Sequence, residues 1–239
     1  MPRTRSLVIA SEGDLIVERD PDRPSGRLLR QDDMDASYVD LADSRHLEFD
    51  YMRWIRLVLM AFGASRVVHV GGAACTLARA LLAENPESRH EVVEIDERVL
   101  DMSRAHLGLR RQPGLRVRVG DGRSAIAARA ADSADAIVVD AFTGARVPAH
   151  LVTVEALGHC ATVAPLTVIN VVDTAGFSQA RGIAADLGQA YSHVAALAGG
   201  ARRRGNVVLF GSRSAARLDR LEAAAAADAS PARILDWSS

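Results

Sequence analysis

The stretch RVVHVGGAACTLAR, residues 66–79, decides the fold. It reads as an apolar strand carried by Val67, Val68 and Val70, a turn of small residues from Gly71 to Ala74, and a helix that starts near Thr76. A buried strand running through small residues into a helix brings main chain close to a ligand at the helix N-terminus. Dinucleotide-binding turns carry three spaced glycines. This one has two adjacent glycines, no acid, and a cysteine, Cys75.

Working outward, strands and helices alternate. Apolar runs at 90–95, 115–119, 136–139 and 166–172 predict strands, and helical spacing predicts helices over 76–84, 97–107, 123–131, 151–163 and 178–190. Alternating βα units predict a parallel sheet with right-handed crossovers. The alternation breaks at 193–198 and 206–212, two strands joined only by Gly199, Gly200 and the arginines Arg202 to Arg204, so they pair antiparallel. The expected fold class is α/β: a methyltransferase-like Rossmann sheet, mostly parallel, closed by an antiparallel C-terminal hairpin. A dinucleotide Rossmann domain would continue with another βα unit instead.

Upstream, Leu47, Tyr51, Trp54, Ile55, Val58, Leu59 and Phe62 recur at helical spacing and predict a helix over 46–62 capped by Ser44. Residues 7–31 read as a small β element with turns at Glu12-Gly13 and at 23–26, and the acid-rich 32–44 as a connector with a short strand at 38–41. The predicted divisions are 1–44 for the β element and connector, 45–213 for the main domain, and 214–239 for a helix and a tail that is either loose or docked through Ile234, Leu235 and Trp237.

The 239-residue length suits one large α/β domain with a small appendage. A formal net charge of -1 offers no field for nucleic acid or a membrane surface. Cys75 and Cys160 form no CxxC pair, which excludes a disulfide framework and zinc spacing and fits a cytoplasmic location. The N-terminal apolar run LVIA is too short for a signal sequence, and no window approaches a membrane span.

Ligands in open α/β sheets bind beyond the carboxyl ends of the strands. Those ends carry Gly71 and Gly72, Glu94, Asp121 with Gly122, and Asp140, and the fifth ends at Asp173. Glu94 follows Gly71 by 23 residues, a spacing at which an acid accepts from both ribose hydroxyls. Asp121 is placed either to accept from an adenine amino group or to cap the next helix, with Gly122 letting a ring lie close. Asp140 ends AIVVD and is placed as a base or cation binder. His69, inside its strand, reads as a core histidine. Cys75 reads as a packing residue despite its helix N-terminus. The 202–204 arginines read as a solvated tip, and Arg146 either as an anion contact or as a surface charge.

With these residues placed, the chain resembles the spermidine synthase-like family, small actinobacterial type, from about Gly26 to Ser212. The resemblance is carried by VVHVGGAACTLARALL, VVEIDERVLDMSR, VRVGDGRSAI, DAIVVDAFTGARVPAHLVTVEAL and GNVVLFGS. It implies a small N-terminal β-domain, aminopropyl transfer from decarboxylated S-adenosylmethionine to putrescine, and a dimer or larger oligomer. By this resemblance Glu94 holds ribose, Asp121 and Gly122 contact adenine, and Asp140 assists deprotonation of the attacking amine. The family's aspartate in the glycine turn falls on Ala74, its second loop acid on Thr143, and its early glutamine on Ala36; HLEFDY stands in place of its Tyr-His-Glu stretch. Each lost charge-assisted bond costs about 1.5–3 kcal/mol.

The expectation is a transferase that uses S-adenosylmethionine or its decarboxylated form, needs no metal, acts on a small-molecule acceptor and forms a homodimer. The alternatives are a non-catalytic nucleoside-binding or oligomeric partner of the same fold, and a nicotinamide-binding Rossmann protein, against which the terminal hairpin and Asp121 argue.

Overall fold

The N-terminal segment folds as an antiparallel sheet of β1 (Leu7–Glu12), β2 (Leu15–Arg19), β3 (Gly26–Gln31) and β4 (Met34–Asp40), in that order across the sheet. These elements come from a computed structural model that describes residues 7–174, 176–199, 204–215 and 218–237. The connector expected at 32–44 is mostly strand. Asp32 and Asp33 take positive φ, 47° and 60°, and close a two-residue hairpin with Gln31 opposite Met34. Asp tolerates the left-handed region better than most residues, so this pair replaces the usual Asn-Gly signal.

The sheet's inner side chains Leu15, Val17, Leu29 and Val39 share a buried cluster with Ala74, Val99, Met102 and Leu107. The Thr76 hydroxyl donates to the Tyr38 carbonyl at 3.0 Å and lies 3.0 Å from Ser37 Oγ. The small sheet is thereby fixed to the helix that follows the glycine turn.

Next come α1 (Asp50–Phe62), β5 (Arg66–Gly71), α2 (Thr76–Glu84), β6 (Arg89–Glu94), α3 (Glu97–His106), β7 (Leu115–Val119), α4 (Gly122–Ala127) and β8 (Ala136–Asp140). A 3₁₀ turn at Ala149–Leu151 leads to α5 (Val154–Val163), β9 (Leu166–Thr174), α6 (Ser178–Leu187), β10 (His193–Gly199), β11 (Arg204–Ser212), α7 (Leu218–Ala227) and β12 (Ala232–Asp236). The second sheet runs β12-β10-β11-β9-β8-β5-β6-β7. Strands β5 to β9 are parallel, and β11 inserts antiparallel between β9 and β10. This is the expected parallel sheet closed by an antiparallel hairpin. The tip of that hairpin, including Arg202 and Arg203, lies outside the described residues.

Helix α1 begins at Asp50, four residues later than its apolar spacing predicts. Phe49 occupies the cap position without a side-chain bond, and Ser44 caps nothing. His46 instead pairs with Glu48 at 2.8 Å, while Leu47 is already buried ahead of the helix. The helix buries Met52, Trp54, Ile55, Val58 and Leu59 on one face of the large sheet, each side chain contributing about 1.5–3 kcal/mol. Helices α5 and α6 cover the other face through Leu157, Val163, Ile183 and Leu187. Helix α4 is shorter than the 123–131 expected from spacing.

The tail is not loose. β12 pairs antiparallel with β10, and the Trp237 amide donates to Val194 O at 2.9 Å. Its successive side chains serve both faces, Ile234 in one apolar cluster and Leu235 in the other, as a strand's alternation requires. Trp54 Nε1 donates to Ser230 O at 2.7 Å and Arg53 pairs with Asp228 at 2.9 Å, fixing the preceding loop to α1. Among the described residues no helix is long and apolar enough to cross a membrane.

Inside the sheet, His69 and His90 contact each other at 3.1 Å, and His90 also contacts Ser88 Oγ at 2.9 Å. Burial pushes both imidazoles down, His90 to about 4, so the pair is neutral and structural.

Candidate active site

The large sheet reverses its winding between β5 and β8, since the chain lays down β6 and β7 on one side and β8 and β9 on the other. Gly71, the last residue of β5, is in register with Asp140, the last residue of β8. A cavity of about 790 Å³ opens beyond these ends, within the range of small-molecule sites. Gly71, Gly72, Glu94, Asp121, Gly122 and Asp140 all line it. The strand ends expected to build a site are therefore brought together in one place.

Each position has a local cause. Gly71 has φ 77°, and a side chain there would meet the Asp140 main chain and the Ala141 Cα, the latter at 3.0 Å. Gly72 has φ 103° and open space where a Cβ would stand. Together they let the chain turn tightly beside the cavity.

Glu94 is 8% exposed. Burial raises its carboxyl above the usual value, opposed by the main-chain N–H groups of Asp96, Ile95 and Ala73. The Asp96 amide donates to Glu94 Oε1 at 3.1 Å. Asp96 itself caps α3 by accepting from the Arg98 amide. An acid at the end of β6 is thus bonded back to the glycine turn and faces the cavity.

Asp121 caps α4: its Oδ1 accepts from the Ser124 amide at 2.8 Å. That bond holds the carboxyl below its ordinary value. Its Oδ2 lies 3.1 Å from His150 Nε2, so the loop after β8 reaches past the ends of β5 and β6 to the end of β7. Gly122 is required for packing. A Cβ there would collide with the Val70 side chain, so its lack of one lets α4 approach the sheet.

Asp140 accepts from Asn170 Nδ2 at 2.8 Å on Oδ1 and from the Tyr51 hydroxyl at 3.3 Å on Oδ2. Burial raises its carboxyl, and these two donors oppose the rise. Tyr51 is pushed well up by burial and by Asp140, which keeps it a donor. Asn170 accepts in turn from Asn206 Nδ2 at 3.0 Å. Tyr51, Asn170 and Asn206 were not legible as site residues. Tyr51 sits within the apolar spacing of α1, Asn206 just ahead of the run VVLF, and Asn170 inside the run VINVV. That last pattern, a carboxamide inside a Val/Ile run, is the signal available in the sequence.

The other expected positions divide between core, cavity and surface. Ala74 is fully buried in the cluster beneath the small sheet, while Ala73 lines the cavity. The absence of an acid at 74 is therefore a packing matter, because a carboxylate there would sit among Leu15, Val17 and Leu29. Thr143 and Ala36 do line the cavity, at its rim and its small-sheet side. Arg146 is exposed and does not line it, its main chain pairing with Thr143. Cys75 is buried and its thiol is pushed up to about 12, chiefly by burial, which fits a packing role. Phe142 lines the cavity without filling it, and Leu77 is buried in the core beneath α1.

Eight lining residues are Asp or Glu, and no described lining residue is Lys or Arg. The cavity favours cations. A buried carboxylate, a tight glycine turn and a capped helix thus share this cavity with Asp140.

No protein-family model and no curated protein matches the chain. Among solved structures, it is 30% identical to a probable spermidine synthase from Corynebacterium glutamicum, covering 100% of this chain and 92% of that one with a TM-score of 0.84. It shares the fold of a spermidine synthase solved with the transition state analogue AdoDATO, at 15% identity, 89% and 76% coverage and TM-score 0.69. The fold also matches human methyltransferase-like protein 13 in complex with SAH, at 20% identity, 66% and 76% coverage and TM-score 0.54. With the first of these spanning nearly the whole of both chains, the chain belongs to the spermidine synthase-like family.

Proposed function

We propose that the protein is a transferase that binds an S-adenosyl sulfonium nucleoside and delivers an aminopropyl or methyl group to an amine or other small nucleophile. The observation that carries this reading is the convergence of Gly71, Gly72, Glu94, Asp121 and Asp140 on one cation-favouring cavity at the reversal of the sheet. Glu94 would hold the ribose hydroxyls, Asp121 the adenine amino group, and the turn at 71–73 would lie against the nucleoside. When bound, the sulfonium supplies an electrophilic carbon beside a positively charged sulfur.

The chain's own contribution is positioning and proton handling. On this reading Asp140 would face the reacting end of the nucleoside, and its burial favours taking a proton. The cavity beside it is open to an acceptor, which supports catalysis over binding alone. Holding both reactants in line supplies most of the rate in such a transfer.

Calorimetry with S-adenosylmethionine, its decarboxylated form and methylthioadenosine tests the reading. At least one is expected to bind, and the preferred sulfonium names the transferred group. Binding of none would overturn the proposal.

A further inference from the structure

Asn170 stands in β9 between Val168, Ile169, Val171 and Val172. It has no exposed surface, and a carboxamide buried among apolar side chains destabilises the fold unless it is bonded. It is bonded at both ends. Its Nδ2 donates to Asp140 Oδ1 at 2.8 Å, and its Oδ1 accepts from Asn206 Nδ2 at 3.0 Å. The three residues occupy neighbouring strands β8, β9 and β11, so the chain of bonds crosses from the parallel sheet to the antiparallel hairpin. Its direction is forced. An ionised carboxylate only accepts, so Asn170 must turn its Nδ2 toward Asp140 and leave its oxygen for Asn206.

We propose that Asn170 and Asn206 are positioning residues: an amide relay that holds Asp140 Oδ1, favours its ionised form, and leaves Oδ2 as the oxygen that takes the acceptor's proton. The inference rests on the reading of Asp140 as the base of a transferase. Among the described residues, Oδ2 receives only the longer Tyr51 bond, at 3.3 Å. The other ionisable groups lining the cavity are carboxylates and His150. From α1 and its lead-in come Glu48, Asp50 and Tyr51; β5 offers only the Gly71 main chain; β9 and β11 offer the two uncharged amides. Among the described residues no lining Lys or Arg steadies the charge on Asp140, so that task falls to the relay and Tyr51.

The test is an infrared titration of carboxyl groups in the full chain, with the Asp140 band identified as the one lost in Asp140→Asn. Asn170→Leu is expected to move the Asp140 midpoint upward by about 1 pH unit or more. Asn170→Asp should move it further, since two carboxylates at that separation cannot both ionise. Asn206→Leu should move it the same way by less, without adding to Asn170→Leu, because both act through one bond. Methylthioadenosine affinity of the wild-type chain is measured in parallel. A wild-type chain that binds no nucleoside would overturn the transferase reading alone. An unchanged Asp140 midpoint in Asn170→Leu would overturn the relay. Should that variant fail to fold, the midpoint in Asn206→Leu, at the half-buried hairpin position, decides in the same way.

Discussion

Gly71 and Asp140 are register partners at the ends of adjacent strands, and a side chain on Gly71 would strike the main-chain oxygen of Asp140. The residue that makes the turn and the residue read as the base are thus in main-chain contact. The geometry of one sets the position of the other.

Gly71→Ala is expected to strain a φ of 77° and to displace Asp140. It should destabilise the protein by about 2 kcal/mol or more and abolish nucleoside binding. Gly72→Ala meets no neighbouring atom, so its destabilisation should be about 1–2 kcal/mol, from backbone strain alone. Thermal denaturation with calorimetry separates the two; equal losses of stability would refute the contact argument.

Glu94→Gln should separate binding from stability. Burial raises the Glu94 carboxyl above its ordinary value of 4.5. Above that pH the unfolded chain has released a proton that the native chain still holds, so this group's contribution to stability falls as pH rises through its raised value. The variant is expected to be as stable as the wild type or more so at pH 7, with the difference shrinking toward pH 4, while nucleoside affinity falls at least tenfold. Denaturant unfolding across pH and calorimetry check both halves.

Gly122→Ala should destabilise by about 1–3 kcal/mol through overpacking against Val70. Val70→Ala in the same chain should recover part of that loss, because it removes the colliding methyl groups. A double variant no more stable than the single would show that the glycine serves another purpose.

Ala74→Asp should not create an amine site. It places a carboxylate among Leu15, Val17 and Leu29, and the expected result is a loss of several kcal/mol or failure to fold. Thr143→Asp, at the exposed rim of the cavity, should fold normally and strengthen the binding of diamines. Melting temperatures and diamine calorimetry distinguish the two positions.

His150→Ala removes a half-exposed pair with Asp121. Stability should change by less than about 1 kcal/mol. Nucleoside binding is expected to tighten, because His150 occupies the Asp121 oxygen assigned to adenine. Weaker binding in this variant would instead make His150 part of the ligand contact.

By itself, the sequence determined the alternation of strands and helices, the antiparallel hairpin, and the four acids at strand ends, because apolar periodicity and strand-end position are local properties. Glu94, Asp121 and Asp140 could be named before their distances were known, since a parallel sheet gathers every such end on one edge. The tertiary structure decided the rest. It placed Ala74 in the core and Ala73 at the cavity, a distinction set by the direction of one residue in a turn. It made a strand of the tail at 232–236, whose partner β10 lies more than thirty residues earlier in the chain. It also joined Tyr51, Asn170 and Asn206 to Asp140, across 89, 30 and 66 residues of chain respectively. Side chains that look apolar-facing or misplaced in one dimension acquire their partners only when the strands are laid side by side.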